Sequence, residues 1–142
     1  MAGYSGTPLA KKLGIAEGST VALLSAPPGF ANTLAATLPT DVVVRSRATG
    51  TADVVISFHT DRAKLEARVP TLVKVLDVDG GLWIAWPKKA SGVPTDVTEG
   101  TVRQVFLPLG LVDNKVCAID HTWSGLRVVW RRELRAERRA AR

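Results

Sequence analysis

Residues 81–132, GLWIAWPKKASGVPTDVTEGTVRQVFLPLGLVDNKVCAIDHTWSGLRVVWRR, decide the fold. They read as a strand (82–86), a polar loop (87–94), a helix from near Val97 to about Leu107, a strand (115–120), a tight turn (121–125) and a strand (126–130). LWIAW is an unbroken apolar run, the pattern of a strand buried on both faces. Asp96, with Glu99 three residues on, has the form of a capping box. Gly100 inside that helix costs about 1 kcal/mol relative to alanine, and Pro108 with Gly110 ends it. The five-residue connection 121–125 suits an antiparallel hairpin.

Upstream of this stretch, Asp77-Val78-Asp79-Gly80-Gly81 reads as a turn. Before it, Thr60 or Asp61 caps a helix whose Leu65, Val69, Leu72, Val73 and Leu76 share one face. Pro70 in its interior costs about 3 kcal/mol, which predicts a kink or two short helices. Strands are expected at 20–24 (TVALL), 41–45 (DVVVR) and 53–58 (DVVISF), and short helices at 8–13 and 32–38. The first helix starts on Thr7-Pro8, a hydroxyl cap and then proline, with Lys11 and Lys12 on its solvated side.

The alternation β-α-β-β-α-β-α-β-β predicts an α/β protein with a three-layer, Rossmann-like, mostly parallel sheet closed by an antiparallel hairpin. One domain over 1–132 is expected, followed by an arginine-rich tail, 133–142. The chain of 142 residues is 46% hydrophobic and 23% charged, a folded rather than a disordered composition. Its net charge is +6, but the last twelve residues, RRELRAERRAAR, supply +4 of it. The basic balance therefore describes the tail more than a binding face. No aromatic residue interleaves the tail, so base stacking finds no support there. The single cysteine, Cys117, suits a reducing interior. No apolar run approaches the roughly 18 residues of a membrane span, and the amino-terminal residues contain no apolar leader core. These features predict a cytoplasmic protein with no membrane partner.

Several segments resemble an uncharacterised bacterial family, common in actinobacteria. They are Gly3-Tyr4-Ser5-Gly6-Thr7-Pro8-Leu9, Trp86-Pro87-Lys88-Lys89, Ser91-Gly92, Thr95-Asp96, Gly110-Leu111-Val112-Asp113, Lys115-Val116-Cys117-Ala118, Asp120 and Thr122-Trp123-Ser124-Gly125-Leu126. The resemblance runs from residue 3 to 132 and implies a domain without an assigned activity. His121 stands where a glutamate is expected in that family, and Gly100 where an acidic residue is expected. In architecture, the closing hairpin is similar to the end of the S-adenosylmethionine-dependent methyltransferase fold. That fold carries its cofactor after the first strand, on a glycine-rich loop, with an acidic residue ending strand two to hold the ribose. Here the loop is SAPPGF, whose two prolines remove two backbone donors, and strand two ends in Arg45.

In an open α/β sheet the carboxyl ends of the strands face one crevice. The expected site there comprises Pro28, Gly29, Phe30, His59, Trp86, Lys88, Lys89, Ser91, Thr95, Asp96, Trp123 and Ser124. The lysines suit an anionic group, the hydroxyls and the following helix start would support it, and the tryptophans could stack on a flat ring. Equally, Asp96 is a cap, the lysines are solvated and the tryptophans are core. His59, Asp61, Asp120, His121 and Ser124 form no nucleophile elbow, and no His/Cys spacing suits a metal. No catalytic residue, metal or cofactor is assigned. The leading expectation is a non-catalytic Rossmann-like binding or regulatory domain for a small anionic ligand or a partner protein. A methyltransferase-like enzyme is the alternative, and a nucleic-acid-binding regulator using the tail is a further one.

Overall fold

A computed structural model describes residues 6–141. Gly3-Tyr4-Ser5 of the family resemblance and Arg142 of the tail lie outside the described residues. The elements are α1 (Leu9–Lys12), β1 (Thr20–Leu24), α2 (Phe30–Ala35), β2 (Val43–Arg45), β3 (Ala52–Phe58), α3 (Arg62–Val75), β4 (Leu76–Pro87), α4 (Glu99–Phe106), β5 (Leu111–Ala118), β6 (Trp123–Trp130) and α5 (Arg132–Ala140). The strands form one six-stranded sheet in the order β2-β1-β3-β4-β6-β5. The first four strands are mutually parallel, and β6 inserts antiparallel between β4 and β5. This is the expected three-layer α/β fold, a mostly parallel sheet closed by a hairpin.

Strand residues alternate between two cores, as a period of two requires. On one face Leu65, Leu72 and Val75 of α3 and Val102 and Phe106 of α4 pack on Leu24, Val55, Leu82, Ile84 and Trp86. On the other, Leu9 of α1, the following Leu13, and Phe30 and Leu34 of α2 pack on Val21, Leu23, Val54, Ile56, Phe58 and Trp83. Both faces of β1, β3 and β4 are covered, which is why those strands read as continuous apolar runs. Among the described residues no helix is long and apolar enough to cross a membrane.

Local departures from the expected elements have physical causes. Pro8 is the N-cap of α1 rather than its first residue, and no side chain caps that helix. Lys12 is buried at 7% exposure rather than solvated, because so short a helix lies flat on the hairpin. Its ammonium donates to the Ala118 carbonyl at 2.9 Å. α2 starts two residues early, at Phe30, because Gly29 adopts the left-handed conformation at its N-cap (φ 83°). α3 is a single helix through Pro70. The carbonyl that loses its donor belongs to Glu66, and both residues are exposed, so water satisfies it.

The expected turn 77–81 is absorbed into β4, which begins directly after α3. Leu76 pairs with Ala52 and Gly81 with Val54, so residues 77–80 bulge opposite Asp53 alone. The capping box of α4 uses Thr98 and Thr101 rather than Asp96 and Glu99. Gly100 falls in the first turn of that helix. The arginine-rich end is helix α5, docked at the start of β4 and the end of β6. Arg138 stacks 3.7 Å from the Trp130 ring centroid, Arg135 Nε donates to the Trp130 carbonyl at 3.0 Å, and Arg139 pairs with Asp79 at 2.7 Å.

Candidate functional site

The carboxyl ends of β1 and β3 sit side by side, with Leu24 level with Ser57. β1 stops at Ser25, which holds a left-handed φ of 57° despite its side chain. Its hydroxyl accepts from Arg68 Nη1 at 2.8 Å, so α3 reaches over the strand end to fix the bend. Pro27 and Pro28 offer no donor, and Phe30 N closes the turn on the Pro27 carbonyl at 3.1 Å. A Cβ on Gly29 would meet nothing within 4 Å. The loop therefore presents bare backbone to open space.

That space is a cavity of about 370 Å³ between the β1–α2 loop and the β5–β6 turn. Its walls include Pro28, Gly29, Phe30, Thr33, Asp120 and Trp123. Phe58, at the end of β3, packs edge-on between Phe30 (ring centroids 4.8 Å apart) and Trp123 (5.0 Å apart). This three-ring ladder is the favoured edge-to-face geometry and makes the aromatic wall rigid. Asp120 Oδ1 accepts from Thr122 N at 2.8 Å and Trp123 N at 2.7 Å, which holds both the turn and the tryptophan. Thr33 donates to the Gly29 carbonyl, and Thr37 donates to Leu34 while accepting from Ala10 N. Among the described residues, Asp120 is the one titratable group on the walls, and no lysine or arginine lines them.

The opposite face of β3 carries Ser57 and His59. Ser57 Oγ lies 2.6 Å from His59 Nε2, and both residues are buried. A smaller cavity of about 230 Å³ opens here, lined by Ser25, His59, Asp61, Lys64 and Arg68. Burial first, and the Arg68 guanidinium second, push the His59 imidazole down to a pKa of about 4. The ring is therefore neutral in the folded protein near neutrality.

The unfolded chain titrates this group near 6.5, so between about pH 6.5 and about 4 it binds a proton that the folded chain refuses. The stability contributed by the neutral ring is complete above the upper value and is lost as pH falls through the lower one. Urea unfolding across that window is expected to show a steeper decline for the wild type than for His59→Gln. Equal slopes would mean that another group governs the acid limb.

Of the residues expected at the site, Pro28, Gly29, Phe30 and Trp123 meet around the larger cavity, and His59 lines the smaller one. Ser124, the second residue of β6, pairs with Trp86, and Trp86 lies in the core on the α3 and α4 face. Ser91 donates to the Lys88 carbonyl at 2.6 Å, inside a single 3₁₀ turn, Lys89–Ser91. Thr95 donates to the Thr60 carbonyl at 2.8 Å, and Asp96 accepts from Arg62 N at 2.7 Å. Those two residues tie the α3 start to the loop before α4. Lys88 and Lys89 line neither cavity. Arg45 folds back onto the Thr49 carbonyl at 3.1 Å, and β2 ends level with Ala22, two residues short of the end of β1. Thr33, Thr37 and Asp120 were not assigned to the site from sequence. Thr33 and Thr37 share one face at a spacing of four, and Asp120 starts an Asx turn, so both carried a usable signal. Among the described residues no group of His, Cys, Asp or Glu is arranged to hold a metal.

No family model matches the chain, and no curated protein matches it. Solved structures do. A S-adenosylmethionine-dependent methyltransferase from Aquifex aeolicus is 15% identical, with 84% of this chain and 86% of that one covered at a TM-score of 0.64. The ribosomal protein L11 methylase of Lactobacillus delbrueckii subsp. bulgaricus is 14% identical over 87% of this chain and 77% of that one, at 0.58. The fibrillarin of Aeropyrum pernix, solved with natively bound S-adenosylmethionine, is 13% identical over 89% of this chain and 70% of that one, at 0.56. At these identities the likeness is one of fold. It corrects the order of the functional expectations. The expectation of a non-catalytic binding or regulatory domain for a small anionic ligand or a partner protein gives way to the methyltransferase alternative, because these three structures are named as methyltransferases or were solved with S-adenosylmethionine bound.

Proposed function

We propose that the chain is an S-adenosylmethionine-dependent methyltransferase whose cofactor occupies the cavity between the β1–α2 loop and the β5–β6 turn. The observation that carries this reading is the position and lining of that cavity. It opens directly after β1, in a fold similar to that of solved methyltransferases, and joins one carboxylate and two aromatic rings with no opposing cation among the described residues. Its volume falls within the range of about 300–1,000 Å³ usual for small-molecule sites. When bound, the cofactor supplies a methyl group on a positively charged sulfur.

Phe30 and Trp123 would turn their π-systems toward that charge, an attraction of about 0.5–2 kcal/mol per ring. Asp120 would neutralise it, already held in place by two backbone donors. Thr33 and Thr122 would meet the ribose hydroxyls where β2 supplies no acid. Exchanging a charged acceptor for neutral ones lowers the expected affinity by about 1–2 kcal/mol. The aromatic ladder excludes water from the β3 side, and rate enhancement rests on positioning. The segments at 86–89 and 122–126 support grouping the chain with the actinobacterial family they resemble.

Calorimetry with S-adenosylmethionine and its demethylated product tests this. Both are expected to bind, and saturation at 100 times the dissociation constant should stabilise the protein by about 2.7 kcal/mol. Asp120→Asn keeps the Oδ1 acceptor and removes the charge, so affinity for the sulfonium form should fall about tenfold, with less change for the neutral product. Absence of binding of either compound at millimolar concentration would overturn the proposal.

A further inference from the structure

At the other end of α1 lies a separate cavity of about 250 Å³, bordered by Lys12, Trp83, Asn114, Lys115 and Arg127. The two cavities share no lining residue. Among the described residues, three cations converge on this one and no carboxylate lines it. Lys12 and Lys115 clamp α1 to β5: Lys12 Nζ donates to the Ala118 carbonyl, and Lys115 Nζ donates to the Lys12 carbonyl at 3.0 Å. Each ammonium has three donors, and for Lys115 that bond uses one.

Arg127 is the informative residue. It is half-buried, and its guanidinium forms no hydrogen bond or ion pair with any described residue. Arg62, Arg103 and Arg139, by contrast, are paired with acids. Room for the guanidinium is created by Gly81, where a Cβ would stand 2.3 Å from Arg127 Nε. Burial, and then the charge of Arg135, push the Arg127 pKa below its ordinary value. A half-buried cation whose charged neighbour is another cation is costly unless an anion joins it. β5 is also irregular here. Asp113 pairs with Val128 and Lys115 with Arg127, which leaves Asn114 as the extra residue of a bulge. Bulges re-aim side chains beside sites, and Asn114 adds an amide donor to the cationic ring.

We infer that this cavity binds the phosphate group of a small molecule. The Arg127 fork supplies two parallel donors, Lys12 and Lys115 supply charge, and Asn114 supplies a neutral donor. Three cations match a doubly charged phosphate monoester better than a single carboxylate, and the volume admits a phosphate with a short carbon skeleton rather than a dinucleotide. The site stands apart from the proposed cofactor cavity and does not depend on methyl transfer.

The test is a titration of the whole chain with inorganic phosphate, pyrophosphate and acetate at constant ionic strength, read by thermal unfolding and by Trp83-dominated fluorescence changes. Phosphate and pyrophosphate are expected to bind saturably, and acetate at least tenfold more weakly. Arg127→Met should weaken phosphate at least tenfold, yet in phosphate-free buffer be no less stable than the wild type, since it removes an unpaired charge. Should that variant not fold, Lys115→Met is expected to give the same loss. Neither change should alter S-adenosylmethionine binding. Phosphate that does no more than chloride, an unchanged affinity in both variants, or binding of RNA without binding of phosphate or pyrophosphate would each overturn the site.

Discussion

Trp83→Ala is expected to lower the free energy of unfolding by about 3–5 kcal/mol, measured by urea unfolding followed in the far-ultraviolet. Trp83 is fully buried in the middle of β4 and is the largest fully buried side chain of the α1 and α2 face. Its Nε1 donates to the Leu13 carbonyl at 2.9 Å, so truncation removes core volume and also orphans a buried acceptor. Collapse around the gap is resisted on both sides. β3 and β6 pair without interruption with the part of β4 around Trp83, and across from the ring Gly125 is already so close that a Cβ there would stand 3.1 Å from Trp83 Cε3. Trp83→Phe keeps most of the volume and loses the hydrogen bond, so it should cost about 1–3 kcal/mol. A loss below about 1 kcal/mol for the alanine variant would show that this core repacks freely, contrary to the close packing of protein interiors.

The second large effect is expected at Gly80→Ala, a loss of about 3 kcal/mol or more in the same assay, at the upper end of overpacking penalties. The added methyl would stand 2.6 Å from the Asp53 carbonyl oxygen and 3.2 Å from that of Ala52. Both contacts are with backbone, so no rotamer change relieves them. The bulge 77–80 would have to lift away from β3 and disturb the pairing of Gly81 with Val54. Gly80 has no left-handed φ among the described glycines, so this cost arises from proximity alone. Near-neutral behaviour would mean that the bulge is free to move as a loop.

Strand positions were the most legible part of the chain. TVALL, DVVISF and LWIAW are apolar at nearly every buried position, as a strand covered on both sides tends to be, Ser57 being the buried exception, bonded to His59. The hairpin was recognised but both strands were read short: β5 begins at Leu111, not 115, because its exposed edge carries Val112 and Asn114 in a mixed pattern around a bulge, and β6 begins at Trp123, not 126, so the connection is 119–122 rather than 121–125. The capping box was read two residues early because Asp96 has the right chemistry but is engaged by Arg62 N from another element. Such a contact joins residues 34 apart, and no local pattern contains it.

The site was half legible for the same reason. Pro28, Gly29, Phe30 and Trp123 follow from the rule that strand ends face a crevice. Lys88 and Lys89 sit on a loop whose path the sequence leaves open: Lys88 N donates to the Thr122 carbonyl at 2.7 Å, yet neither lysine lines the cavity. Arg127, Lys12 and Lys115 were read as an ordinary strand residue, a solvated helix face and another strand residue. Their convergence depends on where α1 lands.

α1 also dictates an order of events. Helices this short do not persist alone in water, and its anchoring bonds reach residues 70, 103 and 106 positions away, through Leu13 to Trp83, Lys12 to Lys115 and Lys12 to Ala118. Part of its docking, onto Thr37, β1 and Trp83, precedes the closing hairpin, but the two lysine bonds to β5 can form only once that hairpin exists. Contacts of such long separation slow folding. Until they form, the part of that face which α1 and Leu13 cover is held less firmly than the part under α2, and the chain is most open to chaperones and to aggregation in that interval.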